Sequence, residues 1–160
     1  MPDGPRRNGP RYDEDFYAWT QYQGEVLRTL RTRDNRFDRE NVAEEIEAVG
    51  RNERDAVRSQ VRRILEHFLK LASSPATAPR YGWIDSILDA RAVLADKISP
   101  TLHRDIEAAL PNLYRDARRK TEISLRGHGE PEAAGRLPTT CPFTFEQVLA
   151  DDWYPPPPEK

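Results

Sequence analysis

The sequence predicts an all-α protein, a helical bundle of about five to six helices around one long helix at about residues 38–72, with no sheet. Apolar residues recur at intervals of three and four over most of the chain, which is the spacing of one helix face. No segment combines strand alternation with flanking hairpin turns. With 37% hydrophobic and 32% charged residues, the core should be thin and the helix surfaces charged.

The first predicted helix runs from Asp13 to about Thr32, because acidic residues at 13–15 favour the positive end of a helix. The break RDNRFD follows at residues 33–38. Asp38 then serves as the N-cap of the long helix, which continues to about residue 72 and would measure about 50 Å. Its predicted buried stripe contains Val42, Ile46, Val49, Val57, Ile64, Phe68 and Leu71.

The sequence pattern in the second half of the chain predicts shorter helices. One runs from about Trp83 to Ile98, and Pro100 fits the first turn of the next. The sequence does not decide whether Pro111 kinks one helix or separates two. Residues 126–142 predict a loop, after which Thr144 can cap a final short helix with Gln147 in the capping-box position.

Composition predicts a single helical domain at residues 12–154 between two mobile tails, residues 1–11 and the Pro-rich residues 155–160. The proline run could be a docking ligand, but a solvated tail is the favoured interpretation. A net charge of −2 disfavours nucleic acid as a partner. One cysteine, no signal peptide and no membrane-spanning apolar run predict a cytoplasmic protein.

Three polar residues fall on the predicted buried stripe of the long helix, namely Glu53, Gln60 and His67. Glu53 and His67 are separated by 67 − 53 = 14 positions, about 21 Å along a helix axis, so they cannot share a ligand. Each therefore needs a partner from another helix or subunit. A packed, hydrogen-bonded His67 and an ion-paired Glu53, for example with Arg91, are favoured over catalytic roles.

The acidic residues Glu44, Glu45 and Glu47 could bind a hard cation. They project away from the apolar stripe, however, so a solvated surface is the favoured interpretation, and Glu47 can pair with Arg51. No metal site, cofactor or small-molecule ligand is identifiable. Phosphate-binding loops and known catalytic motifs are missing, which favours a protein that is not an enzyme.

Several separated segments carry a family resemblance, namely YDEDFYAW, ENVAEEIEAVGRNER followed by HFLK, LPNLYRDAR, and LPTTCPFTFEQVLADDWYP. In their order and spacing they resemble an uncharacterised bacterial family, the domain of unknown function 29 family, over about residues 12–155. This chain departs from the family pattern at Gly82, where a Ser before Trp83 is typical, and at Phe68, where Leu is usual.

The resemblance implies an all-helical fold and brings no activity, cofactor or catalytic residue. Positions in the family motif can serve the fold rather than chemistry. They correspond here to Glu45, Glu47, Gly50, His67, Lys70, Trp83, Cys141 and Pro142.

Three functional hypotheses follow. The first is a cytoplasmic protein-interaction module that associates with itself, or with another protein, through an apolar helix face. The second is an enzyme or metal-binding protein with a site between helices near His67, Lys70 and a glutamate of the long helix. The third is a nucleic-acid-associated regulator that uses the Arg-rich helices, which the charge balance makes the least favoured.

Overall fold

The computed structural model of the protein describes residues 9–159. These residues form six helices and no strand, which confirms the all-α prediction. Most of the predicted N-terminal tail and Lys160 lie outside the described residues. The helices are α1 (Phe16–Thr29), α2 (Arg39–Ser73), α3 (Arg80–Lys97), α4 (Pro100–Gly127), α5 (Pro131–Gly135) and α6 (Phe145–Leu149).

The helices are distributed over two compact units. The first contains the described residues up to Asp55 together with Ser99–His103, and the second contains Ala56–Ile98 together with the described residues from Arg104 onward. The continuous helices α2 and α4 each supply residues to both units. A single domain over residues 12–154 stays a prediction.

Helix α1 starts at Phe16, three residues later than predicted. Asp15 Oδ1 accepts a hydrogen bond from the Ala18 amide at 3.0 Å, while the Asp15 backbone is not helical, with φ −148°. Asp15 is therefore the N-cap, and a cap residue lies outside the helix that it begins. Its second carboxylate oxygen accepts from the Thr101 amide at 2.9 Å, at the first turn of α4.

Helices α1 and α2 cross closely because each presents a glycine to the other. A β-carbon on Gly24 would lie 2.5 Å from Glu47 Cγ, and one on Gly50 would overlap the hydroxyl of Thr20. Thr20 and both glycines are buried. The absence of two side chains thus sets the contact between these helices.

The long helix agrees with the prediction in its bounds, and Asp38 caps it by accepting from the Asn41 amide at 3.2 Å. Its predicted stripe is wrong in the first half: Val42 is 37% and Val49 50% exposed. Helix α1 packs against the side that carries Glu47 and Gly50, so the valines lie off the contact. The second half buries its apolar residues as expected, including Val57, Val61, Ile64, Leu65, Phe68, Leu69 and Leu71.

Helix α4 is a single helix with Pro111 inside it, which settles the alternative that the sequence left open. Pro111 is exposed. The buried positions of α4 that follow it are spaced as one amphipathic face. They are Leu113, Tyr114, Ala117, Thr121 and Leu125.

The predicted loop at residues 126–142 is wrong in part, because it contains the short helix α5. Gly129 has a φ of 79°, a conformation that glycine adopts at little cost, and it ends the preceding helical turn. Pro131 then occupies the first turn of α5. The predicted capping box of α6 is confirmed, since Thr144 and Gln147 exchange hydrogen bonds of 2.9 and 3.2 Å.

Beyond α6 the chain turns at residues 151–152 and then continues without regular secondary structure. Trp153 packs its ring edge-to-face on Phe68 and Phe143, with ring centroids 5.2 and 6.2 Å away, and Pro155 is buried. The extent of a mobile C-terminal tail stays a prediction. Among the residues that the structure describes, no helix has the length and apolarity needed to cross a membrane.

Candidate functional site

The three polar residues of the predicted stripe occupy different environments. Glu53, Gln60 and His67 are each half-buried rather than fully enclosed. Glu53 belongs to the first unit and has an interaction partner, whereas Gln60 and His67 belong to the second. They do not form one site, as the helix geometry predicted.

His67 is the residue whose environment stands out. Its Nδ1 is buried and has no hydrogen-bond partner among the described residues. Burial, together with the positive charges of Lys70, Arg63 and Lys120, lowers the pKa of His67 to about 4. The imidazole is therefore neutral at pH 7, and at Nδ1 the predicted hydrogen-bond partner is not found among the described residues.

The three cations that lower the pKa of His67 are Arg63, Lys70 and Lys120, which we call the cationic cluster. Residues 63, 67 and 70 follow one another at i, i+4 and i+7, so they lie on one face of α2. Lys120 comes from α4, where its Nζ lies 3.1 Å from Oε2 of Glu66. Two helices thus bring their positive charges to one place.

Glu66 is the carboxylate of this site. Its side chain is only 9% exposed, and its backbone carbonyl accepts a 3.4 Å hydrogen bond from the buried Thr121 hydroxyl. Burial lowers the pKa of Lys70, an effect that Glu66 opposes and Lys120 reinforces. Counting three cations, one carboxylate and a neutral His67, the site carries 3 − 1 = +2 charges.

Sequence reasoning placed His67 and Lys70 beside a glutamate of the long helix without saying which one. The structure brings Glu66 to them, and Glu53, Glu45 and Glu47 belong to the other unit. Glu66 could have been found from its i, i+4 relation to Lys70. Lys120 could not, because 120 − 66 = 54 residues separate it from Glu66.

Glu45 and Glu47 differ although they are two residues apart. Glu45 is exposed, while the Glu47 side chain is only 14% exposed and pairs with Arg28 through two hydrogen bonds, one of them Nη2–Oε2 at 2.9 Å. The hydrogen bonds from Arg28 lower the pKa of Glu47. The prediction of a solvated Glu47 is therefore wrong, although its predicted i, i+4 pairing with Arg51 occurs at 3.9 Å.

Arg91 does not pair with Glu53 as the sequence suggested. It is 4% exposed and stacks near the rings of Phe68 and Tyr154, 5.5 and 5.1 Å from their centroids. Its guanidinium satisfies carbonyls at and beyond the end of α6, where a helix leaves acceptors unpaired. These are the carbonyls of Gln147, Val148, Asp151 and Trp153, at 2.9 to 3.3 Å. This role is structural.

The remaining candidates offer little chemistry. Trp83 is half-buried on α3. Cys141 donates a hydrogen bond to the Phe143 carbonyl at 3.3 Å, and burial raises the pKa of its thiol. Within residues 9–159, no three His, Cys, Asp or Glu side chains are grouped closely enough to hold a metal ion.

Comparisons with known proteins give information about the fold but no activity. The family model described as Domain of unknown function DUF29 matches residues 11–154. The chain belongs to this family. An α-helical protein of unknown function from Rhodospirillum rubrum has a similar structure to this DUF29 member, with a TM-score of 0.79 and 27% identity, over 90% of this chain and 92% of that chain. No curated protein matches.

Proposed function

We propose that this DUF29 protein is a helical interaction module that pairs with a second copy of itself through α2. The proposed contact is the stripe Val42, Ile46 and Val49, which we call the α2 stripe. Val42 and Val49 are 37% and 50% exposed and Ile46 is half-buried. This exposure of branched apolar side chains on a regular helix is the observation that supports the proposal.

The spacing of the α2 stripe suits a helix partner. Positions 42, 46 and 49 are i, i+4 and i+7, which is the seam pattern of two packed helices. Branched residues on such a seam interlock with a facing helix and remove apolar surface from water, at about 25 cal/mol per Å². Helix α1 packs on another side of α2, against Glu47 and Gly50, which leaves the stripe open within the first unit.

A second copy is the favoured occupant because the stripe can complement itself. In a two-fold antiparallel pair centred near Ile46, Val42 of each copy would meet Val49 of the other and the two Ile46 side chains would meet each other, so the same patch would be used twice.

Light scattering coupled to size-exclusion chromatography tests the proposal. We expect a dimer at tens of micromolar, and a monomer when Val42 and Val49 are both replaced by lysine, with unchanged far-ultraviolet circular dichroism. Ile123→Lys is the matched control, because Ile123 is a 66% exposed residue on α4. A monomeric wild-type protein, or a V42K/V49K variant that still dimerises, overturns the proposal.

The site near His67 supports a second candidate function, a ligand-binding or catalytic role. Its supporting observation is the unpartnered Nδ1 beside Lys70 and Glu66. Binding would be independent of the α2 stripe, since the stripe and the cationic cluster share no residue. An association with nucleic acid remains the third hypothesis, and the net charge of −2 gives it little support.

A further inference from the structure

Repulsion between the positive charges of the cationic cluster destabilises the fold. Lys70 and Lys120 repel each other, and Lys70 is half-buried. Like charges brought close on packed helices destabilise the fold unless an opposite charge compensates for them. Glu66 compensates for one of the three cations, and neither Arg63 nor Lys70 forms an ion pair within 4.0 Å among the described residues.

The unpartnered nitrogen of His67 is a second feature at the same place that lowers the stability of the fold. A buried polar nitrogen without a partner destabilises a protein. Such groups are uncommon in native proteins and call for a physical explanation. Both destabilising features, the excess positive charge and the missing hydrogen bond, involve the same turns of α2, and Lys120 of α4 adds to the first.

We infer that the cationic cluster is a binding site for the phosphate group of a small ligand, held by Lys70 and Lys120 with Arg63 at its edge. Lys120 uses one N–H on Glu66, and a lysine ammonium has three, so two remain for an anion. Arg63 is exposed and can offer its guanidinium to two phosphate oxygens. The His67 side chain can complete the site when its ring turns to present Nδ1.

The charge of the site favours a doubly charged anion such as phosphate over a singly charged one. A phosphate group carries about −1.5 to −2 charges at pH 7, which matches the excess of +2. A carboxylate would neutralise half of it. An extended polyanion would need a basic surface along the chain, whereas the protein as a whole carries a net charge of −2. The ligand is therefore expected to be free phosphate or a small phosphate monoester.

The test is a titration of the full chain with inorganic phosphate, followed by the imidazole resonances of His67 and by the melting temperature. Sodium chloride at matched ionic strength is the control for screening. We expect phosphate to shift the His67 resonances saturably and to raise the melting temperature, while chloride does neither. Equal effects of both salts overturn the inference.

Variants identify the residues that are responsible for phosphate binding. We expect Lys70→Gln and Lys120→Gln each to weaken phosphate binding at least tenfold, while Arg115→Gln, which removes a 74% exposed cation from the same helix as Lys120, leaves it unchanged. Lys70→Gln relieves repulsion and should fold. Lys120→Gln removes the ion pair of the nearly buried Glu66, so far-ultraviolet circular dichroism checks its fold before the titration. Phosphate binding that survives them overturns the inference.

The same titration distinguishes the sources of phosphate. Glycerol phosphate that binds more tightly than inorganic phosphate, and that depends on Lys70, supports a monoester ligand. Equal affinities support free phosphate. A single-stranded oligonucleotide that binds more tightly than either, with the same affinity in Lys70→Gln, indicates an unrelated polyanion surface and overturns the inference of a small-ligand site.

Discussion

The hydroxyl of Thr20 occupies the space that a β-carbon on Gly50 would need. Gln21 closes the same contact, because its Nε2 would lie 2.8 Å from that β-carbon and donates to the Glu47 carbonyl at 3.2 Å. Helix α1 can approach α2 this closely only because residue 50 has no side chain. Gly50 lies within a helix, where glycine is normally unfavourable by about 0.5–1 kcal/mol relative to alanine.

Gly50→Ala is therefore expected to destabilise the protein by about 1–3 kcal/mol, the usual cost of overpacking, despite the better helix propensity of alanine. Urea denaturation measures the effect. Gly82→Ala in α3 is the matched control, because a β-carbon there meets nothing within 4 Å, and it should stabilise the protein by up to about 1 kcal/mol. Equal effects of the two variants would contradict the close crossing.

The stability of the protein should fall when the pH is lowered from 7.5 to 5.5, because of His67. Its folded-state pKa is lowered to about 4, first by burial and then by Lys70, Arg63 and Lys120. An unfolded histidine titrates near 6.5, so the unfolded state binds the proton first as the pH falls. The resulting stability is present above about pH 6.5 and is lost progressively toward pH 4.

The expected loss at pH 5.5 is about 1 kcal/mol. Urea denaturation at both pH values measures it. His67→Gln keeps a neutral polar side chain and should remove this part of the pH dependence, leaving the contribution of other groups. A wild-type protein and a His67→Gln variant with parallel pH profiles would show that His67 is protonated equally in both states.

Replacing Arg91 by methionine should destabilise the C-terminal segment. The methionine fills similar space but leaves one buried and three partly buried hydrogen bonds to carbonyls unmade, and a buried group left unpaired costs about 1–3 kcal/mol. We expect a total loss of about 3 kcal/mol or more. Hydrogen exchange should accelerate most at residues 145–154.

Arg115→Met is the control for Arg91→Met, since Arg115 is 74% exposed and its loss should change stability by less than about 0.5 kcal/mol. Arg91→Lys keeps the charge but offers three donors in another geometry. We expect it to restore only part of the loss. Full restoration by lysine would mean that charge alone, rather than the planar guanidinium, holds this segment.

Cys141 should react slowly with thiol reagents in the folded protein. Burial raises the pKa of its thiol, and the Phe143 carbonyl accepts its S–H, so little reactive thiolate is present at pH 8. Absorbance with an aromatic disulfide reagent measures the rate. Denaturation in urea should accelerate the reaction strongly, and a rapid reaction of the native protein would contradict a shielded thiol.

Local signals in the sequence were sufficient for much of the fold. Asp38 and Thr144 cap helices through contacts three residues away, so neighbouring residues determine where those helices begin. The 3.6-residue pattern was sufficient to predict the long helix and its buried second half. It was insufficient for α5, whose single turn is too short to show a period.

Tertiary structure decided which side of each helix is buried and which charges meet. Val42 and Val49 have the spacing of buried helix positions. Helix α1 packs on a neighbouring side of α2, however, where Gly24 and Gly50 allow close contact, and the valines stay exposed. Lys120 and Arg91 reach partners more than 50 residues away in the chain. Periodicity describes one helix at a time, whereas these contacts depend on how two helices are placed, and that placement is a property of the packed chain.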